Sequence, residues 1–435
     1  MQIKKETKAL IWFTKNLRVN DSILLSKASR EYDRVIGVYC FDPREFKEDI
    51  YGFKKTEKFR AKFLIESVKN LHGNLKELNI SLLVYYEHPE FVIPEICNTN
   101  GIDALFYQNE WTQEELRVIK KVTNSLEITS CFGHYDQFLY HPNDVFEVIP
   151  NIPDVFSNFR KVIEQKLKIR PVHFPHKKST SNLLKKSVKI PDMNNLGYND
   201  FETHHRSAFP FKGGESQALE RLKTYFFDTK KISIYKKTRN GLVGVNYSSK
   251  FSPWLANGCI SAKTIYWELK LFEKENTKND STYWLIFELM WRDFFKYMSK
   301  KYGNAIFRLE GILNKSYQYN TDWKLLRKWV NGETKEPFIN ANMIELNKTG
   351  WMSNRGRQNV ASYFTKELNL DWRIGAAYFE SMLVDYDVHS NYGNWMYLAG
   401  VGNDPRERVF NVKLQAKRYD SEHTFRNLWL QNSLF

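Results

Sequence analysis

Along the first third of the chain the apolar positions alternate between two periods. Short runs rich in β-branched and aromatic residues occur at Ala9–Thr14, Arg34–Phe41, Ile80–Tyr86 and Ile102–Tyr107, with a weaker fifth at Ile128–Phe132. Charged stretches with a helical repeat, such as Thr56–Leu78 and Thr112–Leu126, lie between them. This alternation predicts a doubly wound parallel sheet covered by helices, with any ligand at the carboxyl ends of the strands. Neither GxGxxG nor GxxxxGK(S/T) follows a run, which argues against an ordinary dinucleotide or P-loop site. From 134 to 204 prolines recur at Pro142, Pro150, Pro153, Pro171, Pro175 and Pro191, and lysines cluster at Lys177, Lys178, Lys185, Lys186 and Lys189. That stretch reads as a basic connector. His173 and His176 within it have no patterned carboxylate or cysteine around them, so no metal site is expected. From about 205 onward the period is helical. The expected organisation is an α/β domain over 1–133, a linker over 134–204 and an all-helical domain over 205–435.

Charge and aromatic content sharpen this picture. The chain has 65 Lys+Arg against 50 Asp+Glu, a net charge of +15, which points to a polyanionic partner. Of 12 tryptophans only Trp12 and Trp111 precede residue 250. Leu and Ile suffice to build a core, so ten indoles in the helical half need a reason. Ala9–Phe13 is too short for the apolar core of an export signal, and no run is long enough to span a membrane. Cys40, Cys97, Cys131 and Cys259 show no CxxC spacing and are expected as reduced residues of a cytoplasmic protein.

Four segments carry candidate chemistry. In Ser281–Gly303, with Ser281 expected as the N-cap and Gly303 as the stop, Trp284, Glu288, Trp291 and Arg292 share one face of an otherwise apolar helix. A simple Glu–Arg helical pair does not need flanking indoles. A recess walled by indoles with one carboxylate suits a flat ring with N–H donors, such as a nucleobase or flavin. In NYSSKFSP (Asn246–Pro253), Ser248, Ser249, Lys250 and Ser252 precede a helix start and suit an anion, although capping with a solvated lysine gives the same pattern. TGWMSNRGRQN (Thr349–Asn359) gathers Trp351, Asn354, Arg355 and Arg357, and LVDYDVHSNYGNW (Leu383–Trp395) gathers Asp385, Asp387, Asn391 and Trp395. Acids and amides in an apolar domain suggest a hydrogen-bonded heterocycle. For Trp254 and Trp267 core packing is the expectation.

Together these segments resemble the photolyase/cryptochrome family, and most closely its DASH-type branch, the cryptochromes that act as single-strand DNA photolyases. The likeness extends to WFTKNLRVND (Trp12–Asp21), CFDPREF (Cys40–Phe46), DVFSNFRKVIE (Asp154–Glu164), the stretch Tyr235–Cys259, NANMIELNKTGWMSNRGRQNVAS (Asn340–Ser362) and VHSNYGNWMYLAGVGNDPR (Val388–Arg406). It implies FAD held in a bent form in the helical domain. Tyr235, Ser248, Ser249, Lys250, Phe251 and Ser252 are then expected on its pyrophosphate and ribose side. Arg292, Asn354, Arg357, Asp385 and Asp387 would line or support the flavin, with Asn391 opposite its N5.

The implied reaction is light-driven splitting of cyclobutane pyrimidine dimers by electron transfer from excited reduced FAD. Glu288 matches the carboxylate that hydrogen-bonds the dimer, and Trp291 and Tyr397 match the aromatic walls around it. Asn354, Gln358 and Tyr397 fall on the DNA side. Gln358 stands where duplex-active members carry Met and Tyr397 where they carry Trp, a pattern that favours single-stranded DNA over duplex DNA or RNA. Trp395 and Trp372 match the proximal and middle members of an electron-carrying tryptophan chain. Its distal position falls at Tyr319, leaving Tyr319, Trp323 or Trp329 as the terminal donor. Glu110, in QNEWTQEE, matches the carboxylate for a 5,10-methenyltetrahydrofolate antenna, and Lys335 replaces a usual Gly. The likeness implies a monomer. The alternatives are a blue-light flavin photoreceptor that repairs little, for which a long tail beyond the last helical segment would be expected, and a light-independent nucleic-acid-binding protein, which would have lost Asp385, Asp387, Asn391 and Arg357.

Overall fold

The computed structural model describes residues 6–185, 188–316, 318–404, 406 and 408–431. Lys186 of the basic cluster and Pro405 of the last matched motif lie outside them, as does the chain end at Phe435. Five strands, β1 (Lys8–Phe13), β2 (Arg34–Cys40), β3 (Ser81–Tyr85), β4 (Ala104–Gln108) and β5 (Ser130–His134), form one parallel sheet in the order β3-β2-β1-β4-β5. The order reverses beside β1. The helices α1 (Ile23–Glu31), α2 (Lys58–Glu77), α3 (Pro89–Asn100) and α4 (Gln113–Asn124) connect the strands, and separate apolar cores fill the two sheet faces. The first four strands begin and end within two residues of the hydrophobic runs. β5, an edge strand, likewise starts two residues after its run, and Ile128 in the approach to it is 94% exposed.

The stretch expected as a connector contains two helices, α5 (Pro142–Val148) and α6 (Phe156–Lys166). Beyond them the chain runs back along the sheet. Asn182 pairs with the backbone of Val35, and Lys178 Nζ donates to the carbonyls of Ser29 and Tyr32.

The helical half comprises α7 (Glu215–Lys223), α8 (Tyr235–Thr238), α9 (Ser252–Ala256), α10 (Ala262–Glu275), α11 (Asp280–Tyr302), α12 (Trp323–Asn331), α13 (Pro337–Thr349), α14 (Asn354–Ser362), α15 (Trp372–Met382), α16 (Val388–Ala399), α17 (Val412–Tyr419) and α18 (Thr424–Leu430). α11 is the central rod. Its N-cap is Asn279, not Ser281: the Asn279 side chain accepts from the Ser281 and Thr282 amides while Thr282 Oγ1 returns the bond to the Asn279 amide. A reciprocal box satisfies two orphan amides, which outweighs the single bond a serine cap offers. Gly303 ends the helix as expected.

The two halves are keyed together by buried groups. Arg18 donates to the Asp21, Gly258 and Asp136 carbonyls and lies 3.1 Å from the Asp136 carboxylate. Gly258 has φ +68, and a Cβ there would sit 2.1 Å from the Lys15 carbonyl, so only glycine lets the backbones approach. Among the described residues no helix is long and apolar enough to cross a membrane.

Candidate functional site

A cavity of about 510 Å³ opens between the 247–252 loop, α11, α14 and α16, within the usual size range of small-molecule sites. Tyr235, Ser248, Ser249, Lys250, Phe251, Ser252, Glu288, Trp291, Arg292, Asn354, Arg357, Gln358, Asp385, Asp387 and Tyr397 all line it. An adjoining chamber of about 90 Å³ shares part of this lining and adds Asn391 and Trp395. Segments more than a hundred residues apart thus converge on one recess.

The loop ahead of α9 does not serve as a cap, since Phe251 is the N-cap and contributes no side-chain bond. Instead Arg221, on α7, holds the loop by donating to the carbonyls of Val245, Ser248 and Ser249. Lys250 adopts φ +64, a left-handed conformation costly for a side chain with a Cβ. Its ammonium lies 3.3 Å from the Tyr247 ring centroid and 4.5 Å from that of Trp351, buried and without a hydrogen-bond partner. Burial pushes Lys250 well below the usual lysine range, despite the buried Glu345 nearby. Burial also pushes Glu345 up to about 8. A strained, unpartnered buried cation beside three serines is poised for an anion.

On α11, Glu288 does not pair with Arg292. It accepts from Arg239, whose guanidinium also sits over Trp284 together with the Lys236 ammonium. Burial raises the Glu288 carboxyl even so. Trp284 therefore faces the basic residues rather than the cavity, and Phe287 takes its place in the wall. Trp291 stacks on Phe156 of α6 at 3.8 Å and meets Tyr397 edge-on at 6.4 Å. Arg292 is tied to the carbonyls of Gln137 (2.6 Å) and Leu255 (3.2 Å).

The far wall is pre-organised. Arg357 donates to the Met352 carbonyl and lies 2.9 Å from Asp385. Arg355 orients Gln358 by donating to its Oε1 at 2.8 Å. Asp387 caps α16: Oδ1 accepts from the Ser390 amide and hydroxyl, and Oδ2 accepts from Lys296 at 3.1 Å. Burial alone would raise Asp387, but Lys296, His389 and Arg292 outweigh it and hold Asp387 well below the usual carboxylate range. Asn391, in the wall of the smaller chamber, donates through Nδ2 to the Ala376 carbonyl at 2.9 Å.

Trp372, Tyr319, Trp323, Trp329 and Glu110 lie outside both chambers. Trp372 is fully buried, with its indole N–H on the Leu309 carbonyl. Tyr319 lines a separate cavity of about 310 Å³ together with Trp323, which is 53% exposed. Trp329 is fully buried and packs edge-on against Trp395 at 6.3 Å. Glu110 lies in the loop after β4, buried, accepting from Gln108 Nε2 at 2.6 Å. Trp254 is a core residue, whereas Trp267 is 41% exposed, with its N–H on the Arg170 carbonyl. The backbone bond draws that indole across the surface rather than inward. Sequence reasoning missed Arg221, Arg239, Lys296 and Glu345. Only Arg239 carries a local signal, one helical turn after Tyr235.

The comparisons agree with this geometry. Residues 9–178 match the family profile described as DNA photolyase, and residues 284–433 match the FAD binding domain of DNA photolyase. A protein named cryptochrome DASH from Synechocystis sp. is 45% identical over 97% of this chain and 87% of its own length. The protein of that name from Xenopus laevis is 46% identical over 95% and 81%. This chain belongs to the DASH branch of the photolyase/cryptochrome family. Among solved structures, a Synechocystis cryptochrome superposes with a TM-score of 0.91 at 43% identity, covering 98% of this chain and 89% of the other. An archaeal photolyase from Sulfolobus tokodaii, solved with two FAD molecules, gives 0.79 at 27%, covering 98% and 90%. The DASH chain thus carries an FAD-binding domain in its helical half, and its residues fit the cofactor. The orphaned Lys250 ammonium and serine loop suit a diphosphate, and the Arg357–Asp385 and Asp387 wall suits a polar ring.

Proposed function

We propose that this DASH protein repairs cyclobutane pyrimidine dimers in single-stranded DNA under blue light. One observation supports this above the rest: Glu288, Trp291 and Tyr397 face the same cavity as the Lys250 loop and the Arg357–Asp385 pair. A dimer recognised at the first group would lie next to a cofactor held by the second. Bound reduced FAD would supply the photoexcited electron that opens the cyclobutane ring. The chain binds, orients and excludes water. Trp291, its outer face already stacked on Phe156, offers its other surroundings to the bases. Glu288, whose carboxyl burial raises while Arg239 pulls it down, would hydrogen-bond the dimer's bases. Arg239 holds that carboxyl in place. Extruding a lesion costs a few kcal/mol and least from a single strand, which agrees with Gln358 and Tyr397 in the wall. Asn354, beside Gln358, completes the DNA side, and Tyr235, Phe251 and Ser252 line the cofactor side.

Trp395 and Trp372 would pass electrons inward to the cofactor, with Tyr319, Trp323 or Trp329 at the outer end. An unchanged tryptophan radical in Tyr319→Phe by transient absorption, with no tyrosyl signal in the unaltered protein, would argue against Tyr319. Glu110, buried and with its carboxyl raised by burial against the pull of Lys15 and Lys296, is the residue for a 5,10-methenyltetrahydrofolate antenna. The same reading includes weaker binding of duplex DNA or RNA, a monomeric state and a cytoplasmic setting for the four free cysteines.

The test is illumination of the reduced protein with a dimer-containing oligonucleotide. Dimer loss is expected, faster on a single strand. Glu288→Ala should cut the repair yield roughly tenfold, the scale of about 1.4 kcal/mol of lost transition-state contact, with flavin content unchanged. Photoreduction without dimer loss on either substrate would favour the photoreceptor reading.

A further inference from the structure

The cavity of about 310 Å³ at Tyr319 shares no residue with the two chambers of the candidate site. Its volume is at the lower end of small-molecule sites and suits a single ring. Tyr319 and Trp323 give it aromatic walls, Leu326 and Ile374 an apolar lining, and Asp322 and Asp371 two carboxylates. The backbone around it is pinned. The Asn320 amide donates to the Asn369 carbonyl at 2.6 Å, and Asn369 Nδ2 donates to the Gln318 carbonyl at 3.1 Å. Both carboxylates are fixed as well: Asp322 caps α12, while Asp371 caps α15 and lies 2.7 Å from Arg373.

α15 joins this cavity to the smaller chamber. Trp395 lines that chamber, and its ring lies so close to Gly375 of α15 that a Cβ there would meet it at 2.3 Å. Trp372 is one turn earlier on the same helix, fully buried, with its indole N–H donating to the Leu309 carbonyl at 3.0 Å. Leu309 lines the cavity, and so does Asp371, the residue before Trp372. Residues that touch Trp372 therefore form the cavity wall. Tyr319 and Trp323, two of the three candidates for the outer end of the electron path, stand in the same wall. Indoles that pass electrons inward must be refilled from outside after each event.

We propose that this cavity binds a small phenolic reductant, a flat ring bearing a hydroxyl group, which refills the outer end of the electron path. The inference rests on the path through Trp395 and Trp372 and goes beyond it by giving the external donor a site. A flat ring matches the two aromatic walls. A neutral phenol can donate its hydroxyl hydrogen to Asp322 or Asp371, since carboxylates only accept, whereas the same two carboxylates repel an anionic reductant. The bound phenol gives one electron to the oxidised ring at the outer end and its hydroxyl proton to a wall carboxylate, which passes it to water. The phenol O–H bond breaks, the protein's aromatic ring is restored, and a phenoxyl radical leaves. Two such radicals from hydroquinone disproportionate to one hydroquinone and one quinone.

The probe is hydroquinone, used first in the dark on the full chain. The Trp323 indole N–H should show a saturable ¹⁵N–¹H shift, while that of Trp267, an exposed indole elsewhere, stays in place. Equal shifts at both, or a Trp323 shift that never saturates, would overturn the proposal. In the FAD-loaded chain under blue light, photoreduction should saturate with hydroquinone. Ile374→Phe, which fills the cavity, should raise the half-saturating concentration several-fold and leave photoreduction by 2-mercaptoethanol unchanged. An unchanged half-saturation, or an equal loss with the thiol, would overturn it. Should Ile374→Phe fail to fold, Thr321→Phe at an exposed wall position makes the same test. A chain that neither donor can photoreduce would refute the electron path, while the dark titration would still decide the site.

Discussion

At the scale of single residues, the site is built from buried polar groups whose partners come from elsewhere in the chain. Lys250, Glu345, Lys296, Asp387 and His389 are all buried, and only some are paired. His389 shows the consequence for pH. Its Nδ1 meets Ser299 Oγ at 2.7 Å, and burial together with Lys296 pushes it down to about 3 from an ordinary 6.5. Below 6.5 the unfolded chain binds a proton that the folded chain refuses. Stability is therefore intact above that pH and falls as pH drops toward 3, by up to about 1.4 kcal/mol per unit. Chemical denaturation at a series of pH values should show this slope, and His389→Gln should flatten it. None of these partnerships is legible locally. The Glu288–Arg292 spacing allows a helical pair, which the flanking indoles argued against, but which partners the two take instead is not written locally: Arg239 takes Glu288 and backbone carbonyls take Arg292.

At the scale of elements, α11 organises the site. An apolar surface nearly all round fits its position between the α/β half and α16, and its buried Asp293 and Lys296 meet another backbone and an opposite charge. Trp284, Glu288, Trp291 and Arg292 do share one side of it, but that side is divided between the basic residues at Trp284 and the cavity at Trp291. The helix start is set by the Asn279 box, so Asn279→Ala should cost about 1 kcal/mol in unfolding free energy. Ser281→Ala should cost less at the cap, because its hydroxyl serves the Lys236 amide instead. Calorimetry on the two variants gives the order directly. α6 is, with α5, an element that periodicity passed over. Its prolines and lysines nearby read as linker, but Phe156 and Phe159 anchor it to α11.

At the scale of the molecule, the net charge of +15 and the cavity belong to one argument. Lys236 and Arg239 lie at the Glu288 side of the cavity, and Arg355 and Arg408 line it beside Gln358 and Tyr397. A single-stranded oligonucleotide led there by phosphate contacts should bind with a steep salt dependence. The slope of log K against log salt should fall by about 0.7 for each phosphate contact removed, as fluorescence anisotropy on Arg239→Gln would read.

Hydrophobic periodicity determined the parallel sheet, the helical second half and the start of most strands, because burying a face or a stripe is a local property of the chain. The clustering of Ser248 to Ser252, of Asn354 to Gln358 and of Asp385 to Asn391 was likewise legible, since each lies within a turn or two. Tertiary structure alone decided which buried charge meets which. Arg221 holds a loop more than twenty residues away, Arg239 reaches Glu288 from the end of α8, and Lys296 reaches Asp387 at the head of α16. A buried charge is tolerable only when the fold supplies a counter-charge or a ligand. Which of these it receives depends on how distant segments close around it, and periodicity along the chain carries no record of that closure.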